Sequence, residues 1–389
     1  MAVPKLRFPG FEGEWKERKL GEIAEIKDSA RISNEFWVEK GVPYLRSSDL
    51  VNNELQGELF ISKETYNKYS LQTGFPQKGD VLFTSGGKVG VTHHKEDDSD
   101  VYVQGGAILY VKTSTSEILK GSFLNIYFST HKMRKYMENA SVGGTIKHFT
   151  LIPANATPII YPSIKEQQKI GSLFKVLDKK IQLQHEKIDL LKEQKKGFMQ
   201  KIFSQKLRFK DEDGQEFPNW QNFKLKELTS YSSSPISIEQ YKEYEGEEIY
   251  PLFDANKLIC KIDRYSFEDI YISIIKDGAG VGRIRLLPGK SSIVGTMGGI
   301  QSKDSTIVST HFIYYFLQII KFSKYISGST IPHIYFKDYG NEIVTLPDVN
   351  EQEKIVSFFS SVDYKLERES QKLEKLLKQK QSFMQQMFI

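Results

Sequence analysis

Apolar residues recur at alternating steps of four and three along two stretches of this chain, and the two stretches are copies of each other. Ile170, Phe174, Leu177, Ile181, Gln184, Ile188, Leu191, Lys195, Phe198 and Ile202 keep that step in the first. Ile355, Phe359, Val362, Leu366, Glu369, Leu373, Leu376, Lys380, Phe383 and Met387 keep it in the second. A 3.5-residue period held over several heptads predicts a long helix with a seam for a partner helix. Pro162-Ser163 and Pro347-Asp348 stand just before the starts, as helix N-termini favour. Counted from Glu166 and Glu351, the copies align without gaps at an offset of 185 residues, with 16 of 38 positions identical. A helix of that length is roughly 57 Å long.

The seam has four polar members, and they suggest how the helices pair. Set antiparallel with opposed numbers summing to 564, Lys195 faces Glu369 and Gln184 faces Lys380. The other layers are then apolar, from Leu177–Met387 to Ile202–Val362. Polar seam residues that meet each other fix a register.

Weaker echoes precede each helix. Gly143–Phe149 (GGTIKHF) echoes Gly328–Ile334 (GSTIPHI), and Gly79–Gly90 (GDVLFTSGGKVG) echoes Tyr271–Gly282 (YISIIKDGAGVG). The tetrapeptide KLRF occurs at Lys5–Phe8 and Lys206–Phe209, followed in each case by Trp15 or Trp220. The chain therefore reads as a tandem duplication. Gly79–Phe83, Val101–Lys112, Tyr271–Ile275 and Ser291–Gly299 have the β-branched, Gly-bounded character of short strands. Ser114–Ala140 and Ser305–Ile326 each read as one long helix, and Thr229–Ser237 as a loop. The fold class is α+β: two globular domains, each followed by a long helix, with the helices packed as an antiparallel coiled coil. The predicted boundaries are 1–161, helix 162–203, linker 204–219, 220–346 and helix 347–389.

Composition narrows the function. The chain has 389 residues, room for more than one domain. Cys260 is the only cysteine, which excludes a disulfide framework and suits a reducing cytoplasm. The opening residues have no apolar signal core, and no run of about 18 apolar residues would span a membrane. The net charge of +5 is matched by Lys165–Lys201 alone, which holds ten Lys and five acids. Lys179, Lys180, Lys187 and Lys192 lie off the seam, facing solvent, DNA phosphate or an acidic partner.

Catalytic motifs are missing. No Pro-Pro pair supports a base-flipping adenine methyltransferase clamp. Gly289-Lys290-Ser291 ends like a P-loop, but Ile284 stands where its first Gly belongs. Pro347-Asp348 with Asp363 and Lys365 matches a nuclease pattern formally, yet these residues sit on the heptad helix. His93-His94 lack a metal partner set and read as surface residues. No catalytic and no metal-binding residue is assigned.

This layout resembles the specificity subunits of type I restriction–modification systems. The resemblance rests on the Pro-x3-Glu-Gln-x-Lys-Ile helix starts, the Phe-Met-Gln helix ends, the LRFPGF opening and the GDVLFTSGG turn, and it covers essentially the whole chain. It implies that each globular region is a target-recognition domain for one half of a split double-stranded DNA site, with the paired helices as spacer. It further implies two methylation subunits using S-adenosylmethionine, and two restriction subunits using ATP and Mg. This chain itself would bind no cofactor and catalyse nothing. The reading from a different class is a coiled-coil assembly protein without a DNA role.

Candidate DNA contacts in the first half are Arg46 (with Ser47 and Ser48), the turn Ser85, Gly86, Gly87 and Lys88, and the loop residues Thr145, Lys147 and His148. In the second half they are Lys276, Arg283 and Arg285 near the Gly turn, then Thr330, His333, Tyr335 and Lys337. Gly permits close backbone approach, Lys bonds phosphate, and Arg can bond guanine edges. The second turn reads KDGAGVG, which leaves its equivalence to the first open.

Overall fold

The structure is a computed structural model that describes residues 3–53, 55–144, 147–237 and 249–388. The chain divides into two compact units, Met1–His185 with Lys372–Ile389, and Glu186–Gln371. Each unit holds one globular domain and a portion of both long helices. The helices run Ile164–Phe203 and Val349–Met387 without a break, 40 and 39 residues. None of the described helices is long and apolar enough to cross a membrane.

Both domains are built to one plan. In the first unit an antiparallel sheet has the order Ile26–Asp28, Ile108–Val111, Val81–Thr84, Thr92–His94. In the second the order is Thr229–Ser233, Met297–Ser302, Tyr271–Ile275, Ile284–Leu287. A smaller sheet accompanies each, with a parallel pair at Val42–Leu45/Tyr102–Val103 and at Tyr250–Phe253/Ser292–Ile293. A two-stranded ribbon ties the domain start to the segment just before each long helix: Lys16–Lys19 with Pro158–Tyr161, and Gln221–Lys224 with Ile343–Leu346. Central strands such as Val81–Thr84 and Tyr271–Ile275 are buried throughout, as strands covered on both faces must be.

Three local expectations change. Ser114–Ala140 is two helices, Gly121–Ser129 and His131–Ala140. Thr130 divides them: its backbone is extended, and its hydroxyl accepts from the Met133 N–H as an N-cap. Ser305–Ile326 likewise yields one helix, Thr310–Leu317, capped by Ser309, and a 3-10 turn at Phe322–Tyr325. Thr229–Ser233 is a strand, since its backbone is paired along Met297–Ser302 and Tyr231 lies over Gly298, where a Cβ would clash with its ring. The pairing overrides the loop-like serine composition.

The polar starts of the long helices explain their repetition. Glu166 and Glu351 are almost fully buried. Arg7 grips Glu166 bidentately at 2.7 and 2.8 Å, and Arg208 grips Glu351 at 3.2 and 2.6 Å. These arginines are the third residues of the two KLRF tetrapeptides. The neighbouring Gln167 donates to the Ile118 and Pro162 carbonyls and accepts from the Lys120 N–H. Gln352 does the same with Ile307, Pro347 and Ser309. The segment between Gln205 and Asn219, mostly exposed, is thus pinned through Arg208, which also donates to the Phe217 and Pro218 carbonyls.

Within each unit the two helices pack antiparallel along the expected seam. Burial recurs at Ile170, Phe174, Leu177, Ile188 and Leu191, and at Ile355, Phe359, Glu369 and Met387. The stripe drifts at the end of the first helix, where Met199 is buried and Phe198 exposed, as a 3.6-residue helix does against a 3.5-residue repeat. The register differs from the expected one. Lys195 pairs with Asp363 at 2.6 Å, not with Glu369; Lys187 pairs with Glu369 at 3.0 Å; Lys380 pairs with Asp178 at 2.5 Å. These pairs sum to 558, 556 and 558, about one heptad from 564. A one-heptad shift returns every seam residue to another seam residue, so the apolar stripe cannot choose between the two. Acids and lysines flanking the seam decide. Glu369→Lys is expected to lower the melting temperature, and Lys187→Glu to restore most of the loss where Lys195→Glu restores none; a double-mutant cycle by thermal unfolding checks this.

Candidate DNA interface

In the first unit, three stretches far apart in sequence meet at one carbonyl. The strand Val81–Thr84 runs into the turn at Ser85–Gly90. The Ser85 and Gly86 N–H groups donate to the Ala107 carbonyl at 2.8 and 3.4 Å. The Ser47 hydroxyl donates to the same oxygen at 2.8 Å. The Phe149 N–H then donates to the Ser85 carbonyl at 2.7 Å, and Val142 and His148 exchange both backbone bonds at 2.9 and 2.8 Å. The candidates Ser85, Gly86 and His148 are therefore brought together, with Gly86 and His148 in an antiparallel bridge. A Cβ on Gly86 would sit 3.0 Å from the His148 imidazole, so glycine is what admits that ring. Gly87, at φ +73°, has open space around it. Gly87, Lys88, Lys147 and His148 are exposed, while Ser85 is buried. Thr145 lies outside the described residues.

The second unit repeats this wiring with other side chains. The Lys276 and Asp277 N–H groups donate to the Thr296 carbonyl at 3.0 and 3.3 Å. The Ile334 N–H donates to the Lys276 carbonyl at 3.0 Å, and Ser327 and His333 exchange bonds at 2.9 and 2.8 Å. Asp277 and His333 form the bridge that Gly86 and His148 form in the first unit. The two Gly turns are thus equivalent, with Gly278 standing for Gly87 at φ +86°. One extra residue in the second turn hides this in the sequence. Thr330, Tyr335 and Lys337 are exposed and His333 is half-buried. Lys337 Nζ lies 5.3 Å from the Tyr335 ring centroid, and the His333 ring 5.9 Å from the Tyr335 ring.

The arginines are placed differently from the turns. Arg46 bonds Asp49 and Glu58 at 3.0 and 2.8 Å, so its charge is already met by two carboxylates. Arg283 donates to the Ala255 carbonyl and the Asn256 side chain, each at 2.7 Å, and Arg285 to the Asp254 carbonyl at 3.1 Å. Both brace the Asp254–Lys257 turn. On the long helices, Lys187 and Lys192 bond Glu369 and Asp189.

His93 and His94, expected on the surface, are half-buried on a strand paired with Val81 and Leu82. Burial pushes His93 down to about 4 and lowers His94, so both are neutral near pH 7. The sign follows: a His depressed on folding costs stability as pH falls from about 6.5 toward 4.

At the two turns the outward groups are lysines, imidazoles, a threonine hydroxyl, a phenol and the Asp277 carboxylate. Such groups bond phosphates and base edges. Asp277 and the clamps Arg7–Glu166 and Arg208–Glu351 escaped the sequence reading, although the doubled KLRF and Glu-Gln motifs were the available signal.

Comparison with known proteins agrees with this architecture. The family model for the type I restriction modification DNA specificity domain matches residues 12–193 and again 218–378. A putative type I restriction enzyme MjaX specificity subunit from Methanocaldococcus jannaschii is 24% identical, covering 95% of this chain and 92% of its own. The MjaIX specificity subunit of the same organism is 22% identical over 86% and 83%. A crystal structure of a type I restriction–modification S subunit from M. genitalium has the same fold, at a TM-score of 0.68, 16% identity, and 100% and 99% coverage. With two matched domains, duplicated turns and paired long helices, this chain belongs to the specificity subunits of type I restriction–modification systems, which recognise bipartite DNA.

Proposed function

We propose that each unit meets DNA through its turn–loop pair: Ser85–Lys88 with Lys147 and His148 in one, Lys276–Gly278 with Thr330, His333, Tyr335 and Lys337 in the other. One observation carries this reading. Five backbone hydrogen bonds recur in both sites, whereas the side chains they present differ. A conserved mount with changed tips is what two readers of unlike sequences need. Arg46, Arg283 and Arg285 then shape the sites rather than read bases.

In this reading the chain performs no chemistry. Two methylation subunits dock on the paired helices and bring S-adenosylmethionine; two restriction subunits bring ATP and Mg; the assembly works in the cytoplasm. The duplication supports the number two, since a doubled surface offers two places to one kind of partner. An assembly role without DNA would leave the unlike turns unexplained.

Substituting Lys88 and Lys147 together by alanine tests the interface. Each lost phosphate contact is expected to reduce the slope of log affinity against log salt by about 0.9, so the double variant should lose nearly two. Fluorescence anisotropy on duplex DNA across a salt series measures it. An unchanged slope would place the interface elsewhere.

A further inference from the structure

The equivalent turns differ most at one position: Gly86 in the first unit is Asp277 in the second. The Asp277 side chain is about one third exposed, and its carboxylate lies 2.8 Å from Lys276 Nζ. That pair joins adjacent, partly exposed residues, and such pairs contribute little to folding. Nor does the carboxylate hold the turn. The Asp277 N–H binds the Thr296 carbonyl, Gly278 N–H binds the Pro332 carbonyl at 2.9 Å, and the first unit closes the corresponding turn, one residue shorter, with no side chain there.

On a surface that meets phosphates, a carboxylate weakens attraction. It is offset only where it accepts a hydrogen bond from a donor. In the major groove the donors are the amino groups of cytosine and adenine; guanine and thymine present acceptors there to a carboxylate. Adenine also carries the N7 lone pair beside its amino group, which repels the second carboxylate oxygen. Cytosine has no such neighbour. Resting on the DNA-facing role proposed for these turns, we infer that Asp277 is a specificity residue that accepts a hydrogen bond from the exocyclic amino group of a cytosine in one half of the recognised site. Lys276 orients the carboxylate and offsets its charge. The first unit, with Gly86 at that place, has no counterpart of this contact.

The test is selection from a pool of duplexes with randomised sequence by the full chain in complex with its methylation subunit. The unsubstituted complex should enrich a site in which one block contains a required cytosine. Asp277→Ala should lose discrimination at that single position by about tenfold or more, leave the other block unchanged, and bind unrelated duplex more tightly. Asp277→Asn, of nearly the same shape, should move the preference at that position toward adenine, which asparagine bonds at N6 and N7. The inference is overturned if both variants enrich the original site at every position, or if they weaken both blocks equally with lowered melting temperatures. If the unsubstituted complex enriches no sequence at all, the DNA-facing role of the turns falls as well.

Discussion

Replacing Arg208 by alanine is expected to lower the unfolding free energy by about 3–5 kcal/mol, among the largest losses any single substitution in this chain should produce. Glu351 has no exposed surface, and its carboxylate is met by Arg208 at 2.6 Å and by the Trp220 indole N–H at 2.9 Å. Removing the guanidinium leaves a buried charge with one neutral donor. It also frees the segment after the first long helix, because Arg208 bonds the Phe217 and Pro218 carbonyls. Adding Glu351→Gln to the same chain should recover a good part of the loss, since a neutral amide can keep the indole bond without the buried charge. Denaturant unfolding of the two variants beside the unsubstituted chain reads both effects. A loss below about 1 kcal/mol would mean that water reaches Glu351 and that the clamp is ornamental.

The second large effect concerns specificity. Exchanging Pro43–Ala154 for the matching segment of another specificity subunit should change the recognised sequence in one half of the site and leave the other half intact. The exchanged segment carries the whole first turn–loop pair. Its joint to the long helix runs through Gln167, which bonds main-chain atoms of Ile118 and Lys120 and so tolerates new side chains there. The second unit keeps its own turn, loop and helix clamp. Mapping methylated sites in cells that express the exchanged chain with its partner gives the answer. A change in both halves would show that reading is shared between the domains.

Much of this was legible in the residues because it rests on periodicity. The steps of four and three located both long helices within a few residues, and the Glu-Gln starts and KLRF tetrapeptides marked the duplication. What escaped was set by tertiary pairing. A heptad repeat is blind to a one-heptad shift, so the register had to wait for Asp178, Lys187 and Asp363 to be placed. Thr130 broke an apparently continuous helix through a single cap. Thr229–Ser233 took its strand from its partner and not from its own composition. The candidate site was visible as two Gly turns and two His loops. That each turn abuts its loop, and that Asp277 holds the place of Gly86, needed the backbone hydrogen bonds.

The most direct measurement of the central claim is the pattern of bases fixed when the full chain, with its methylation subunit, is presented with random duplexes. Two unlike blocks separated by a stretch of fixed length and free sequence are predicted, with substitution of His148 touching one block and substitution of Asp277 touching the other. One continuous block, or a single block lost on altering either turn, would contradict it.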